Sequence, residues 1–469
     1  MKKQLFFDDS RLSGRDNTTR ICGHPELIAE YTDGVCSTDF CTGQVFRLDN
    51  ELYRMLYFGH SADFRGKKLF AAVSADGIHF APEQLPDASG RDYPHEVLTL
   101  PRNAEIACIY EDPTGDTATR YKMLMAEPNW NDLYVYDNIY TSPDLLHWTR
   151  MENVQWGDGT EPLTSIFYND YKQCHTIVQR PFWGVRAVGQ KETADFRTFT
   201  PFRHTLNVEA GDEALAEIYG MYAFAYDGMY IGIPHLYRGL HSEYSAKYHD
   251  GLIDTQLAYS EDGEYWRRSL NVPFVAATDA RPIVWLCGMR RGDNGDVFLY
   301  GSASGRVHGP AFHEPGTGKI CVYRLRQDGF IALSTCSDAP ARVITREKLW
   351  HGGELHLNLT ARHATVAVYV SDESQMVSCN VLGIAHPLDG YGHDDCIPFS
   401  GDSTDFVPRY RNGRCLDDLK RQTLVFEIRF TDGRLYSLSG DYTDLFNTQG
   451  ARYRKLGVLP GTHLKNIAR

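Results

Sequence analysis

Alternation of apolar and polar positions with a period of two runs through most of the first 335 residues and predicts strands, not helices. It appears in "GQVFRLDNELYRMLYFG" with "KLFAAV", and in "EIACIYEDPTGDTATRYKMLMAE" with "YVYDNIYT". It returns in "LTSIFYNDYKQCHTIVQRP" with "GVRAVGQ", in "YGMYAFAYDGMYIGIPHLY" with "IDTQLAY", and in "PIVWLCG", "DVFLYGSA" and "KICVYRL". Asp-Gly, Asp-Asn and Asn-Asp mark hairpins inside these runs. A short phrase then recurs after the third strand: "SADGIHF" from Ser74, "SPDLLHW" from Ser142 and "SEDGEYW" from Ser260. "TADFRTF" from Thr193 is a weaker copy, and Asp328-Gly329 in "RQDGFIAL" is a remnant. The Ser hydroxyl and Asp carboxylate suit capping of backbone N–H groups in a tight turn, and the closing aromatic suits packing between repeats.

Four antiparallel strands repeated five times predict a five-bladed β-propeller over residues 1–335, with "KQLFFDD" as a strand that completes the last blade. From about Pro340 the phrase is gone. "HGGELHLNLTARHATVAVYVSDE" alternates tightly, and "QTLVFEIRFTDGRLYSLSG" reads as two strands joined at Asp432-Gly433. Residues 336–469 are therefore predicted to form a β-sandwich, making the whole chain all-β.

Composition sharpens this in few places. The 28 Tyr, 23 Phe and 41 Gly favour a turn-rich β protein. A net charge of -13 without a basic block argues against nucleic acid or an anionic membrane and suits a neutral partner. The first residues, "MKKQLFFDDSRL", lack the apolar run of a signal peptide, so a cytoplasmic location is expected. The 11 cysteines form no C-x-x-C pair and read as reduced, with no metal site and no cofactor expected.

In a propeller the N-terminal ends of the innermost strands converge on one axis, so carboxylates just ahead of those strands are the candidates for chemistry. They are Asp39, Glu105, Asp158, Glu161, Glu217 and Asp279. Two such acids on one axis would supply the pair that glycosidic cleavage needs. His60 and His308 follow second strands and suit sugar contacts or structural roles. Arg180 and Tyr219 are placed to donate hydrogen bonds near the acids. Arg15, Asn17 and Arg20 in "GRDNTTR" suit a pocket rim or a solvated turn, and Asp112 a hairpin. "GSASG" lacks the lysine and strand–helix setting of a phosphate loop.

The turn phrases, the five four-stranded units and the trailing sandwich resemble the five-bladed propeller glycosidases of glycoside hydrolase families 32 and 43. Similarity to a family-32-like bacterial branch is carried by "SGRDNTTRICGHPE", "EDPTGDTATRYKML", "EIYGMYAFAYDGMYIGI" and "FEIRFTDGRLYSL". The resemblance implies three acids: Asp39 as nucleophile or base, Glu161 holding the sugar, and Glu217 as general acid. Asp158 competes with Glu161 as the middle acid. The Asn-Asp-Pro-Asn, Arg-Asp-Pro and Glu-Cys motifs of invertases are absent, so no particular sugar is implied. The expected activity is hydrolysis of a small, furanoside-containing (fructosyl or arabinosyl) oligosaccharide. A propeller-type phosphorylase using Arg180, Arg238 and Arg281, and a non-catalytic sugar-binding propeller, are the alternatives. Oligomeric state is left open.

Overall fold

The structure, a computed structural model, describes residues 1–34, 36–37, 44–61, 67–86, 89–101, 104–128, 134–157, 160–181, 183–239, 251–308, 318–370 and 386–445, with backbone alone at 36–37, 60–61, 128, 134–137 and 160–163. The chain is all-β. Among the described residues its helical structure is the 3₁₀ turn Leu416–Leu419, and no helix is long and apolar enough to cross a membrane. Two compact units form, His24–Gln327 and Met1–Gly23 with Asp328–Arg469.

The first unit is built from antiparallel arrays in chain order. Array 1 comprises Cys36–Ser37, Gln44–Arg47, Tyr53–Ser61, Lys67–Ser74, Ala81–Pro82 and Glu96–Thr99. Array 2 is Glu105–Glu111, Tyr121–Pro128, Tyr134–Ser142 and Thr149–Arg150, and array 3 is Thr160–Asn169, Cys174–Pro181, Val188–Thr193 and Arg203–Leu206. Array 4 (Ala216–Tyr226, Met229–Gly239, Gly251–Ser260, Arg267–Val275) meets array 5 (Ile283–Arg291, Val297–Ser304, Lys319–Leu325, Glu26–Tyr31) through one parallel pair, Ile253 with Ile283.

The leading strands pack in sequence: array 2 on 3, 3 on 4, 4 on 5, and 5 on Gln44–Arg47 of array 1. Buried side chains tie these steps. Gln44 accepts from Ile109 N through its Oε1, and its Nε2 lies 3.4 Å from Cys287 O, so one residue links array 1 to both neighbours. Ser165 Oγ donates to Met221 O and accepts from Ala223 N, joining arrays 3 and 4. His235 Nε2 lies 3.0 Å from Leu286 O, joining 4 and 5. Because backbone groups at the strand flanks need partners when buried, such side-chain bridges hold adjacent arrays in one register.

The recurring turn has the geometry its residues predict. Ser74 Oγ accepts from Gly77 N, and Asp76 Oδ1 accepts from Ile78 N and His79 N. The same three bonds form at Ser142/Asp144 and Ser260/Asp262, and with Thr193 in place of serine at Asp195. The residue after the Asp has positive φ each time: Gly77 at 74°, Leu145 at 71°, Phe196 at 56° and Gly263 at 73°. Leu145 and Phe196 hold a conformation that costs an L-residue about 1 kcal/mol, and both are buried, which offsets it.

Three expectations change at the junctions. Lys2–Leu5, within "KQLFFDD", pairs with Arg434–Asp444 in the second unit, and Glu26–Tyr31 instead takes the outer position beside Lys319–Leu325. "ELIAEY" was invisible as a strand because most of its side chains are only half covered, which blurs the alternation. Ile331–Thr335, in "RQDGFIAL", also leaves the fifth array and pairs with Thr18–Cys22 and Arg434–Asp444. The change of unit therefore falls at Gln327–Asp328, with Met1–Gly23 beyond it, where the sequence pattern suggested residues 335 and 336.

The second unit is one nine-stranded sheet organised by Lys348–Val370. The first half of that long strand pairs antiparallel with Arg434–Asp444, and its second half pairs with Thr423–Thr431, from His363 opposite Thr431 to Val370 opposite Leu424. The strands on either side of Asp432-Gly433 thus serve different halves of it. Trp350, Leu357, Val366, Phe426, Tyr391 and Leu438 share the core. Among the described residues Cys22, Cys108, Cys321 and Cys396 are buried thiols, Cys174 and Cys287 are partly covered, and Cys336 and Cys415 are exposed.

Candidate functional site

The leading strands of arrays 2, 4 and 5 each carry a bulge, at Ala107, Tyr219 and Cys287, where the cross-strand register shifts by one residue. A bulge bends the strand and re-aims its side chains. In array 4 it lies two residues beyond Glu217, which stands second in Ala216–Tyr226 opposite Tyr237.

Glu217 and Tyr219 both meet Arg186. Around them gather groups from three arrays. Arg186, from the connection 183–187 of array 3, donates through Nη1 to Glu217 Oε2 at 2.6 Å. The same connection is pinned to array 4 by Ile218 N donating to Arg186 O. Arg180, ending the second strand of array 3, lays its guanidinium 4.2 Å from the Tyr219 ring centroid and donates to Tyr219 O. Arg186 sits 5.0 Å from that ring and 5.1 Å from the Tyr237 ring. Tyr219 Oη and His308 Nε2 are 2.8 Å apart, and the His308 ring meets both tyrosines edge-on.

The electrostatics follow from this packing. Burial works against charge on Arg186, but Tyr219 and Glu217 outweigh it and hold the guanidinium above its ordinary range. Glu217 keeps 34% of its side chain exposed while Arg180 is buried, so the carboxylate faces open space and the arginines back it. Beneath, His235 is pushed down to about 4 by burial, only partly opposed by the Leu286 backbone, and is neutral against Trp285. Next to this shell, Asp254 is driven up to about 7 by burial against the pull of Arg238, 2.7 Å away.

Glu217, Arg180, Tyr219 and His308 are thus brought together. Arg186 and Tyr237 complete the group and were not foreseen. Arg186 lies in "GVRAVGQ", whose alternation reads as strand throughout, but the strand begins at Val188 and leaves Arg186 in the connection before it. Tyr237 was hidden as one aromatic among many in an alternating run. Glu105 lies apart, paired with Lys67. Asp279 is exposed in a turn where Thr278 and Arg281 exchange backbone hydrogen bonds. Arg238 is engaged by Asp254 and Glu213, and Arg281 points toward Glu30, so neither is placed with Arg180. Arg15, Asn17 and Arg20 belong to the other unit, bonded to Asp9, Ala339 O and Phe6 O respectively. Asp39 and Asp158 lie outside the described residues, and Glu161 and His60 are described as backbone only, with Glu161 opposite Arg180 and His60 opposite Lys67. Among the described residues no group of three His, Cys, Asp or Glu is arranged to hold a metal ion.

No protein-family model matches the chain, and no curated protein does. Solved structures show distant likeness. A glycosyl hydrolase from Bacteroides ovatus is 16% identical with a TM-score of 0.39, over 64% of this chain and 94% of that one. An exo-β-1,3-galactanase from Phanerochaete chrysosporium is 10% identical with a TM-score of 0.40, over 90% and 99%. A structure from work on the GH130 family of mannoside phosphorylases, which contains hydrolases of β-1,2-mannosidic linkages, is 15% identical with a TM-score of 0.40, over 64% and 94%. At this level the likenesses establish neither family nor activity.

Proposed function

We propose that the chain is a carbohydrate-active enzyme, a five-bladed propeller with a β-sandwich, that hydrolyses a small furanoside-containing oligosaccharide at the N-terminal ends of its leading strands. The cyclic packing of leading strands and the four copies of the turn support the propeller reading. The observation that carries the function is the grouping of a partly open carboxylate, Glu217, with a buried and a half-buried arginine, two tyrosines and a histidine. Such a wall offers directed donors and aromatic faces to a neutral polyol, and one acid for proton transfer.

In this reading Glu217 is the general acid, Asp39 the nucleophile or base, and Glu161 the acid that holds the sugar. Arg186 pairs with Glu217 in the resting site, so to act as general acid the carboxylate must exchange that partner for a proton from solvent, which it then gives to the glycosidic oxygen. His60, Asp158 and Asp279 have lesser parts in binding, and Glu105, held by Lys67, has none. Incubation with aryl glycosides and with fructo- and arabino-oligosaccharides, followed by product chromatography, tests the reading: release of a monosaccharide in water supports it, and no turnover of any member contradicts it.

Phosphorolysis is the second reading. It is favoured by the two guanidinium groups that share the Tyr219 ring, because a pair of cations at one spot suits a tetrahedral anion. Turnover that depends on inorganic phosphate, with a sugar phosphate as product, selects it.

A further inference from the structure

Large exposed aromatics are few on the described surface, and one stands on the connection that carries Arg186. Trp183 is 39% exposed, and its indole stacks on the His204 ring with centroids 5.5 Å apart and planes at 26°. The ring is seated by construction. Trp183 N donates to Pro181 O, which turns the chain sharply at the end of the strand. Gly189, opposite His204 in the adjacent strand pair, leaves the space: a Cβ there would come within 2.7 Å of Pro181 Cγ and 2.9 Å of Trp183 Cη2. The side chain is therefore held as a shelf at energetic cost to solvation, without joining a hydrophobic core. Three residues later Arg186 meets Glu217, and three residues span at most about 10 Å.

We infer that Trp183, backed by His204, is a sugar-stacking platform that binds an oligosaccharide ring beyond the one held at Glu217, so that the substrate has several units. This rests on the carbohydrate reading of the site. The physical reason is that the electron-rich face of an indole attracts the polarised C–H groups on one side of a sugar ring, while the ring hydroxyls stay in water. A phosphate or a charged peptide would gain little there, since the shelf presents no cation. The expected contribution is about tenfold in affinity, which is about 1.4 kcal/mol.

Binding calorimetry on the full chain tests this with fructo- and arabino-oligosaccharides from disaccharide to pentasaccharide and with an aryl monoglycoside. Wild-type affinity rises with length in one series. Trp183→Ala weakens the pentasaccharide about tenfold and the monoglycoside by less than about twofold; Trp183→Phe, which keeps a ring and guards against misfolding, falls between. The platform is overturned if Trp183→Ala keeps the full gain with length, weakens short and long ligands equally, or if wild type binds no oligosaccharide. Because the readout is binding, loss of the length gain in a protein without turnover upholds the platform and rejects the hydrolase. Turnover with no effect of Trp183→Ala on any length does the reverse.

Discussion

Arg186 and Glu217 form an ion pair that joins arrays 3 and 4 at the candidate site, with Nη1 to Oε2 at 2.6 Å. The pairing gives Glu217 a fixed direction and explains why an acid with a third of its side chain exposed is not free to rotate. A carboxyl kept protonated near neutral pH is ordinarily desolvated or beside a second carboxylate, and the arginine partner of Glu217 is a different setting. Replacing Arg186 with Ala should lower kcat/KM about 10- to 100-fold, the worth of a charge-assisted hydrogen bond. Arg186→Lys should recover little of it, since an ammonium cannot reproduce the planar contact with Tyr219 and Tyr237. Steady-state kinetics of the two variants on the substrate found by screening checks this, and near-normal values would separate Arg186 from the reaction.

Asp254 gives the molecule a pH dependence. Its carboxyl, driven up to about 7 by burial, binds a proton in the folded state at pH values where the unfolded chain has lost it. Stability is then fully present below about pH 4 and is lost as pH rises toward 7, by up to about 1.4 kcal/mol per unit. The groups facing it are Arg238 and Glu213, and Arg238 limits the loss. Asp254→Asn should melt higher than wild type at pH 8, and the difference should shrink steadily as the pH is lowered toward 4. Equal melting temperatures at pH 8 would show that the carboxyl is ionised there without cost.

The contact between arrays 5 and 1 depends on a buried polar chain. Tyr31 and Tyr57 hydroxyls lie 3.0 Å apart, Tyr57 donates to Asp33 Oδ2 at 2.7 Å, and His95 Nε2 lies 3.0 Å from the same oxygen. Burial, then Tyr31 and Asp33, push the Tyr57 hydroxyl far above its ordinary range, so it remains a donor. Tyr57→Phe removes one donor from a carboxylate only 1% exposed and should cost about 1–3 kcal/mol. Denaturant unfolding measures it, and a loss under about 0.5 kcal/mol would remove the network from the account of stability.

The repeated turn responds to acid. Against the upward pull of burial, the His147 ring and the N–H groups of His147 and Leu146 hold Asp144 down to about 2. Its contribution is present above the unfolded value near 4 and is lost as pH falls from there toward 2. Asp144→Ala should therefore destabilise the protein by about 1 kcal/mol at pH 7 and by less at pH 3. An equal loss at both values would assign the effect to packing.

What the sequence discloses is what repeats. The turn at Ser74, Ser142 and Ser260 is local chemistry, so Oγ and carboxylate caps could be read from residue types alone. Glu217 was legible for a related reason: its place at the start of an alternating run put it at the strand end. Glu26–Tyr31 and Lys2–Leu5 were not, because their partners lie about 290 and about 435 residues away in the chain and no local pattern encodes such a choice. Arg186 shows the same limit at the site. A connection of irregular backbone carries its side chain to another array, and only the fold reveals which.

The central claim is that chemistry is done at Glu217. Turnover by Glu217→Gln on a screened substrate, beside Glu105→Gln as a control on a carboxylate paired elsewhere, tests it most directly. The account predicts a fall of at least about 100-fold in kcat for Glu217→Gln, the scale of general acid catalysis, with an unchanged melting curve. Near-normal turnover by that variant would contradict it.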